Sequence, residues 1–210
     1  EISDKEHQIE EILGVISDAK EAEEKEKTAL DSLRISRKEK NDILPEHNKN
    51  VNVVPQILSN NATLFIMCAK KLYLESGYSE VNLNLGCPSG TVISKGKGAG
   101  FLGRPDELDR FLDEIYKEKD MPAISIKTRL GMEDTEEFSR ILDIYNQYPL
   151  AELIIHPRLQ KDLYRGTVHL DSFGMAVERA KATLCYNGDI MNHENCTNIY
   201  NSFPTVDRIM

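Results

Sequence analysis

The chain has 210 residues, 40% of them hydrophobic, and a formal net charge of -9, enough for one substantial core and a small appendage. Its acidic balance argues against a freestanding nucleic-acid binder, because neutralising phosphates takes clustered Lys and Arg; such a role has to come from a local patch or from further sequence. No run of about 18 apolar residues offers a membrane span, and the acidic start lacks the order of a signal peptide, so a cytoplasmic setting is expected.

Residues 1–36 are rich in Glu, Lys and Ala, without Pro and with Gly14 as the single glycine. Ser3 and Glu6 have capping-box spacing. Ile9, Ile12, Ile16, Ala19, Leu30 and Leu33 keep a heptad register that Glu23 and Glu26 interrupt. A weak coiled coil or a helical hairpin fits, but a solvated amphipathic helix packed on its neighbour is the favoured reading. Turn chemistry at Pro45, Asn48 and Asn50 places a second domain at 37–210.

Strands and helices then alternate. Strands are expected at Val51 to Leu58, Glu80 to Leu85, Pro122 to Lys127, Ala151 to His156, Thr183 to Tyr186 and Thr205 to Met210. Helices fill the intervals at Thr63 to Glu75, Pro105 to Lys119, Thr135 to Tyr148, Ser172 to Lys181 and Asn192 to Asn201. Six strands with intervening helices predict an α/β fold with a parallel sheet and right-handed crossovers.

Polar residues recur at five successive strand ends: Gln56; Asn84 and Cys87; Lys127 and Arg129; His156 and Arg158; and Asn187, Gly188 and Asp189. They converge on one rim. In a barrel that rim carries the active site, whereas a doubly wound sheet binds at a switch point, and no GxGxxG follows the first strand here. Cys87 is the outstanding candidate for chemistry, in a strand that breaks into the glycine-rich loop GCPSGTVISKGKGAGFLG. Its bland alternative is a small buried hydrophobe, the reading given to Cys68, Cys185 and Cys196. The four cysteines lack CxxC spacing, which fits free thiols and no metal site.

NLGCPSGTVISKGKGAGFL, IKTRLG, IIHPRLQKDLYRG and CYNGDI, in that order, resemble the tRNA-dihydrouridine synthases over residues 37–210. That resemblance implies a (β/α)8 TIM barrel that binds FMN, takes electrons from NADPH and reduces uridine in tRNA to 5,6-dihydrouridine. It implies Cys87 as the acid that protonates uracil C5; an ordinary thiol is mostly protonated near neutral pH and can donate. It further implies a cofactor set of Gln56, Lys127, Arg129, His156, Asn187, Gly188 and Asp189, with Asn84 and Arg158 on the substrate. Lys95 and Lys97 face tRNA phosphate or are plain loop charges.

Two parts of the family pattern are replaced or absent. Residues 1–36 stand where the first barrel strand belongs, and the chain stops at VDRIM, before a second phosphate loop, an eighth strand and a helical tRNA-binding domain. The expectation is an incomplete barrel of about six strands, truncated or fused, with two open sheet edges that invite a homo-dimer. Two alternatives stand beside it: another FMN barrel of the dihydroorotate-dehydrogenase kind, and an inactive barrel fragment serving as a helical interaction scaffold.

Overall fold

The computed structural model describes residues 41–210; the expected helical segment 1–36 lies outside them. The chain divides after Asp42, and the unit Ile43–Met210 carries the fold. Its strands are β1 (Gln56–Ile57), β2 (Glu80–Leu85), β3 (Ala123–Thr128), β4 (Glu152–Ile155), β5 (Thr183–Tyr186) and β6 (Arg208–Ile209). Its helices are α1 (Ala62–Ser76), α2 (Gly90–Ile93), α3 (Pro105–Lys117), α4 (Glu137–Tyr145), α5 (Leu170–Arg179) and α6 (His193–Ser202).

The sheet order is β1-β2-β3-β4-β5-β6, and every pairing is parallel. A doubly wound sheet reverses its order partway; this one never does, so it advances as a barrel wall. Among the described residues β1 and β6 do not pair with each other. The wall is open, as expected for an incomplete barrel, and no helix described is long and apolar enough to cross a membrane.

Strand periodicity decides which side holds the core. In β2 the odd positions Val81, Leu83 and Leu85 are fully buried and face outward onto the helices, since successive side chains alternate faces. Ile124 and Ile126, Leu153 and Ile155, and Leu184 and Tyr186 continue that layer. Against it the helices present Phe65 and Ala69, Leu108 and Leu112, Phe138 and Leu142, and Phe173 and Ala176. Edge-to-face rings join neighbouring elements: Phe65 meets Phe111 at 5.7 Å, and Phe173 meets Tyr186 at 5.0 Å.

Local signals set the helix bounds. Asn61 caps α1 by accepting from the Leu64 amide at 2.9 Å, and Gly77 ends it in the left-handed region at φ 74. Pro105 opens α3 with Asp106 and Glu107 in its first turn and Lys117 in its last, which suits the helix dipole.

Both edge strands are shorter than expected. The predicted Val51 to Leu58 contracts to two residues; Pro55 has no amide to donate, and its carbonyl instead accepts from Asn82 at 2.8 Å. The predicted Thr205 to Met210 contracts likewise, because the Asp207 carboxylate turns back to accept from the Leu184 amide at 3.1 Å.

Candidate active site

The inner face of the wall is polar. Barrel interiors are ordinarily filled by layers of branched apolar side chains, yet here Gln56, Asn82, Asn84, Ser125, Lys127 and Glu152 line an open cavity of about 800 Å³. An amide ladder runs across its floor. Gln56 Nε2 donates to Asn82 Oδ1 at 2.8 Å, Asn84 Nδ2 donates to Gln56 Oε1 at 2.7 Å, and Asn82 Nδ2 donates to Ser125 Oγ at 3.0 Å. Glu152 also points inward, and burial raises its pKa against the opposing pull of Arg208, whose Nε stands 3.4 Å from Oε1.

Cys87 follows β2 and is fixed through its backbone. Asn84 Oδ1 accepts from the amides of Gly86 at 3.1 Å and Cys87 at 3.0 Å, an Asx turn. The Ala99 amide donates to the Cys87 carbonyl at 3.0 Å. Gly98 permits this closure: it sits at φ +55, and a Cβ there would stand 2.8 Å from the Cys87 carbonyl oxygen. The thiol itself is half-buried, unbonded and open to the cavity.

Cations stand across from it. Lys127, partnered with Asn84 in the β2–β3 register, donates to Asn187 Oδ1 at 2.5 Å. Burial draws its pKa down, and Arg129 adds to the effect. Arg129 is almost fully buried, its Nε donating to the Gly86 carbonyl at 3.0 Å and its Nη1 to the Leu159 carbonyl at 2.8 Å. It therefore ties the Cys87 turn to the loop after β4. His156 is held neutral: burial first, then Arg129, Lys127 and Arg158, lower its pKa to about 4. Its Nε2 is buried without a hydrogen-bond partner.

Gly188 follows β5 at φ +150, and a Cβ there would approach His156 Cδ2 to 3.0 Å. Glycine is what lets this backbone lie against the ring. Next to it Asp189, itself at φ 50, forms an ion pair with Arg158.

Nine of the ten nominated residues meet at this one cavity: Gln56, Asn84, Cys87, Lys127, Arg129, His156, Asn187, Gly188 and Asp189. Arg158 is not among its lining. It is 2% exposed, beside the cavity, with Nη1 donating to the carbonyls of Arg165 and Gly166 at 2.6 and 2.7 Å. Lys95 is exposed and Lys97 half-buried on the glycine-rich loop. Other lining residues carry no signal that alone would nominate them as a site from sequence, among them Asn82, Ser125, Glu152 and Tyr164. The alternation of EVNLNL already put Asn82 on the face of Asn84; nothing local singles out Tyr164.

Chemically, the site offers a thiol on one side and Lys127 with a neutral, unpartnered imidazole on the other. Such a set fits a planar, electron-accepting ligand with hydrogen-bonding edges. A glycine-shaped backbone beside it suits an anionic group.

Comparisons with known proteins bear on the family. The dihydrouridine synthase (Dus) family matches residues 29–210. A probable tRNA-dihydrouridine synthase of Staphylococcus epidermidis is 31% identical over 141 residues, covering 65% of this chain and 42% of that protein. A Staphylococcus aureus counterpart is 34% identical over 119 residues, 54% of this chain and 36% of that protein. The tRNA-dihydrouridine synthase B of Klebsiella pneumoniae is 28% identical over 123 residues, covering 58% and 38%. The old yellow enzyme from Trypanosoma cruzi superposes with a TM-score of 0.47 and 11% identity, over 70% of this chain and 43% of that one. The chain thus covers less than half the length of these curated relatives. With the family matched across most of its residues, the chain belongs to the dihydrouridine synthases.

Proposed function

We propose that this chain carries the catalytic core of an FMN-dependent tRNA-dihydrouridine synthase, which reduces uridine in tRNA to 5,6-dihydrouridine with electrons from NADPH. One observation carries the reading: the Cys87 thiol opens into the same cavity as Lys127 and the unpartnered Nε2 of His156. FMN held by these residues would supply the hydride chemistry, with NADPH as the source of its electrons. The chain's own residues supply the rest.

Cys87 gives its proton to C5, so the ring gains one hydrogen at each carbon as the C5–C6 double bond is lost; the thiolate then recovers a proton from water. Lys127 would set a fixed positive charge in a partly dry site, suited to a cofactor that becomes electron-rich on reduction. His156 offers its free ring nitrogen as a hydrogen-bond partner, and the backbone at Asn187, Gly188 and Asp189 would hold the cofactor's phosphate. Gln56 and Asn84 support the cofactor and uracil through the amide ladder, with Asn84 also shaping the Cys87 turn. Arg129 and Arg158 brace the loops that frame the cavity.

The same reading gives tRNA as partner and the cytoplasm as location. As long as the sheet is open, the short edges β1 and β6 are the proposed surfaces through which two copies pair.

The visible spectrum of the purified protein tests the cofactor: bound flavin is yellow, whereas a colourless preparation that FMN does not reconstitute contradicts the proposal. In a flavin-loaded protein, Cys87→Ala abolishes uridine reduction while NADPH still bleaches the flavin. Equal loss of both half-reactions would rule out the proton-donor role.

A further inference from the structure

Between β4 and α5 the loop 156–169 presents a feature that the proposed chemistry does not use. Tyr164 is 74% exposed, yet it lines the mouth of the cavity. Its ring is held from behind by the Arg129 guanidinium, 5.1 Å from the centroid, and lies 6.3 Å from the His156 ring.

The backbone on either side is pinned. Arg158 grips the carbonyls of Arg165 and Gly166. Asp162 accepts from the Leu159 amide at 2.8 Å and meets His169 Nε2 at 2.9 Å. The Arg165 amide closes a turn onto the Asp162 carbonyl at 2.8 Å. Leu163, adjacent to the tyrosine, sits at φ 51, a conformation that L side chains rarely adopt and that persists where its surroundings enforce it, often at ligand sites.

A ring that merely covered Arg129 would bury itself against it. Arg129 is already almost fully buried and bonded to two carbonyls, while Tyr164 leaves most of its surface to solvent. The loop instead spends a strained residue on holding a flat aromatic at the mouth. A rigid aromatic of this kind, open on one side and backed by a cation, suits the π-face of a nucleobase.

Resting on the tRNA reading above, we propose that Tyr164 is a stacking platform for an unpaired nucleobase neighbouring the one that reacts. Arg165, exposed and without an ion pair among the described residues, stands next in the chain to meet the adjoining phosphate. The platform selects unpaired RNA over duplex, because a base within a helix has no free face to give.

The test titrates the full chain with a short single-stranded oligouridylate carrying one 2-aminopurine, and with the corresponding RNA duplex, following anisotropy and 2-aminopurine quenching. Tyr164→Phe and Tyr164→Trp are expected to keep single-strand affinity and quenching. Tyr164→Ala is expected to lose about 5- to 150-fold in affinity, the range that one base–aromatic stack carries, and to lose the quenching, while duplex binding stays unchanged. Equal single-strand affinity and quenching in the wild type and Tyr164→Ala would overturn the platform and leave the tRNA reading standing. A wild type that binds neither RNA would overturn the tRNA reading and the platform with it. The Phe and Trp variants separate loss of the ring face from loss of loop structure, since both refill the space over Arg129.

Discussion

Acidifying the protein without ligand probes how far His156 is cut off from water and surrounded by positive charge. Its imidazole titrates at about 4 in the fold against 6.5 ordinarily. The fold disfavours the charged ring, so the stability this provides is complete above the ordinary value and lost as pH falls through 6.5 towards 4. Between about pH 7.5 and about pH 5 the linkage amounts to about 2 kcal/mol. Partial exposure of the ring lets solvent screen it, which brings the figure to about 1 kcal/mol. For a unit of this length that is a drop of about 2–4 °C in melting temperature beyond what the other groups contribute. Melts of the wild type and His156→Asn at both pH values isolate the increment: the wild type falls further by that amount. An NMR titration of the ring proton gives the same pKa directly, and an anionic ligand in the cavity moves it upward by offsetting Arg129 and Lys127. A ring that titrates near 6.5, or equal acid losses in both proteins, would refute the account of the site's electrostatics.

Gly98→Ala places a Cβ 2.8 Å from the Cys87 carbonyl oxygen at a left-handed φ. A loss of about 1–2 kcal/mol is expected from the backbone conformation alone, together with a changed rate of thiol labelling by a disulfide reagent as Cys87 shifts. Gly188→Ala crowds His156 at 3.0 Å and is expected to weaken flavin binding, read by fluorescence titration, with little effect on RNA affinity. Lys127→Met keeps the aliphatic stem but removes the charge, so flavin affinity falls while the melting temperature holds or rises, because a buried ammonium no longer has to be desolvated. Phe173→Ala removes a fully buried ring packed on Tyr186 and Phe203 and costs about 3–5 kcal/mol in denaturant unfolding.

Where neighbouring residues decide the structure, the sequence was legible. EVNLNL alternates strictly and stops at Gly86, and β2 occupies that span. Strand-end residues were readable because a parallel sheet in sequential order brings every C-terminal end to one rim. The edges were not, since a strand's length depends on the partner it finds; Asp207 turning back onto Leu184 has no local signature. The short helix α2 hides inside a run of glycines. Arg158 shows the limit most clearly: its place in HPR marked it for the substrate, but only the fold reveals that Asp189 and two loop carbonyls occupy it beside the cavity. Tyr164 was silent because an aromatic in a polar loop looks the same whether it is packed or presented.

Position 87 is held from both sides by main-chain bonds, one to the Asn84 side chain and one from the Ala99 amide, and its side chain takes part in neither. The turn therefore works as a socket. Serine, selenocysteine or alanine at this position would be displayed at the same point over the cavity, with only the chemistry of the displayed group exchanged. Divergence or design within this fold can thus replace the acid without rebuilding its mount, whereas changes at Gly98 or Asn84 move the mount itself and leave the thiol intact but misplaced.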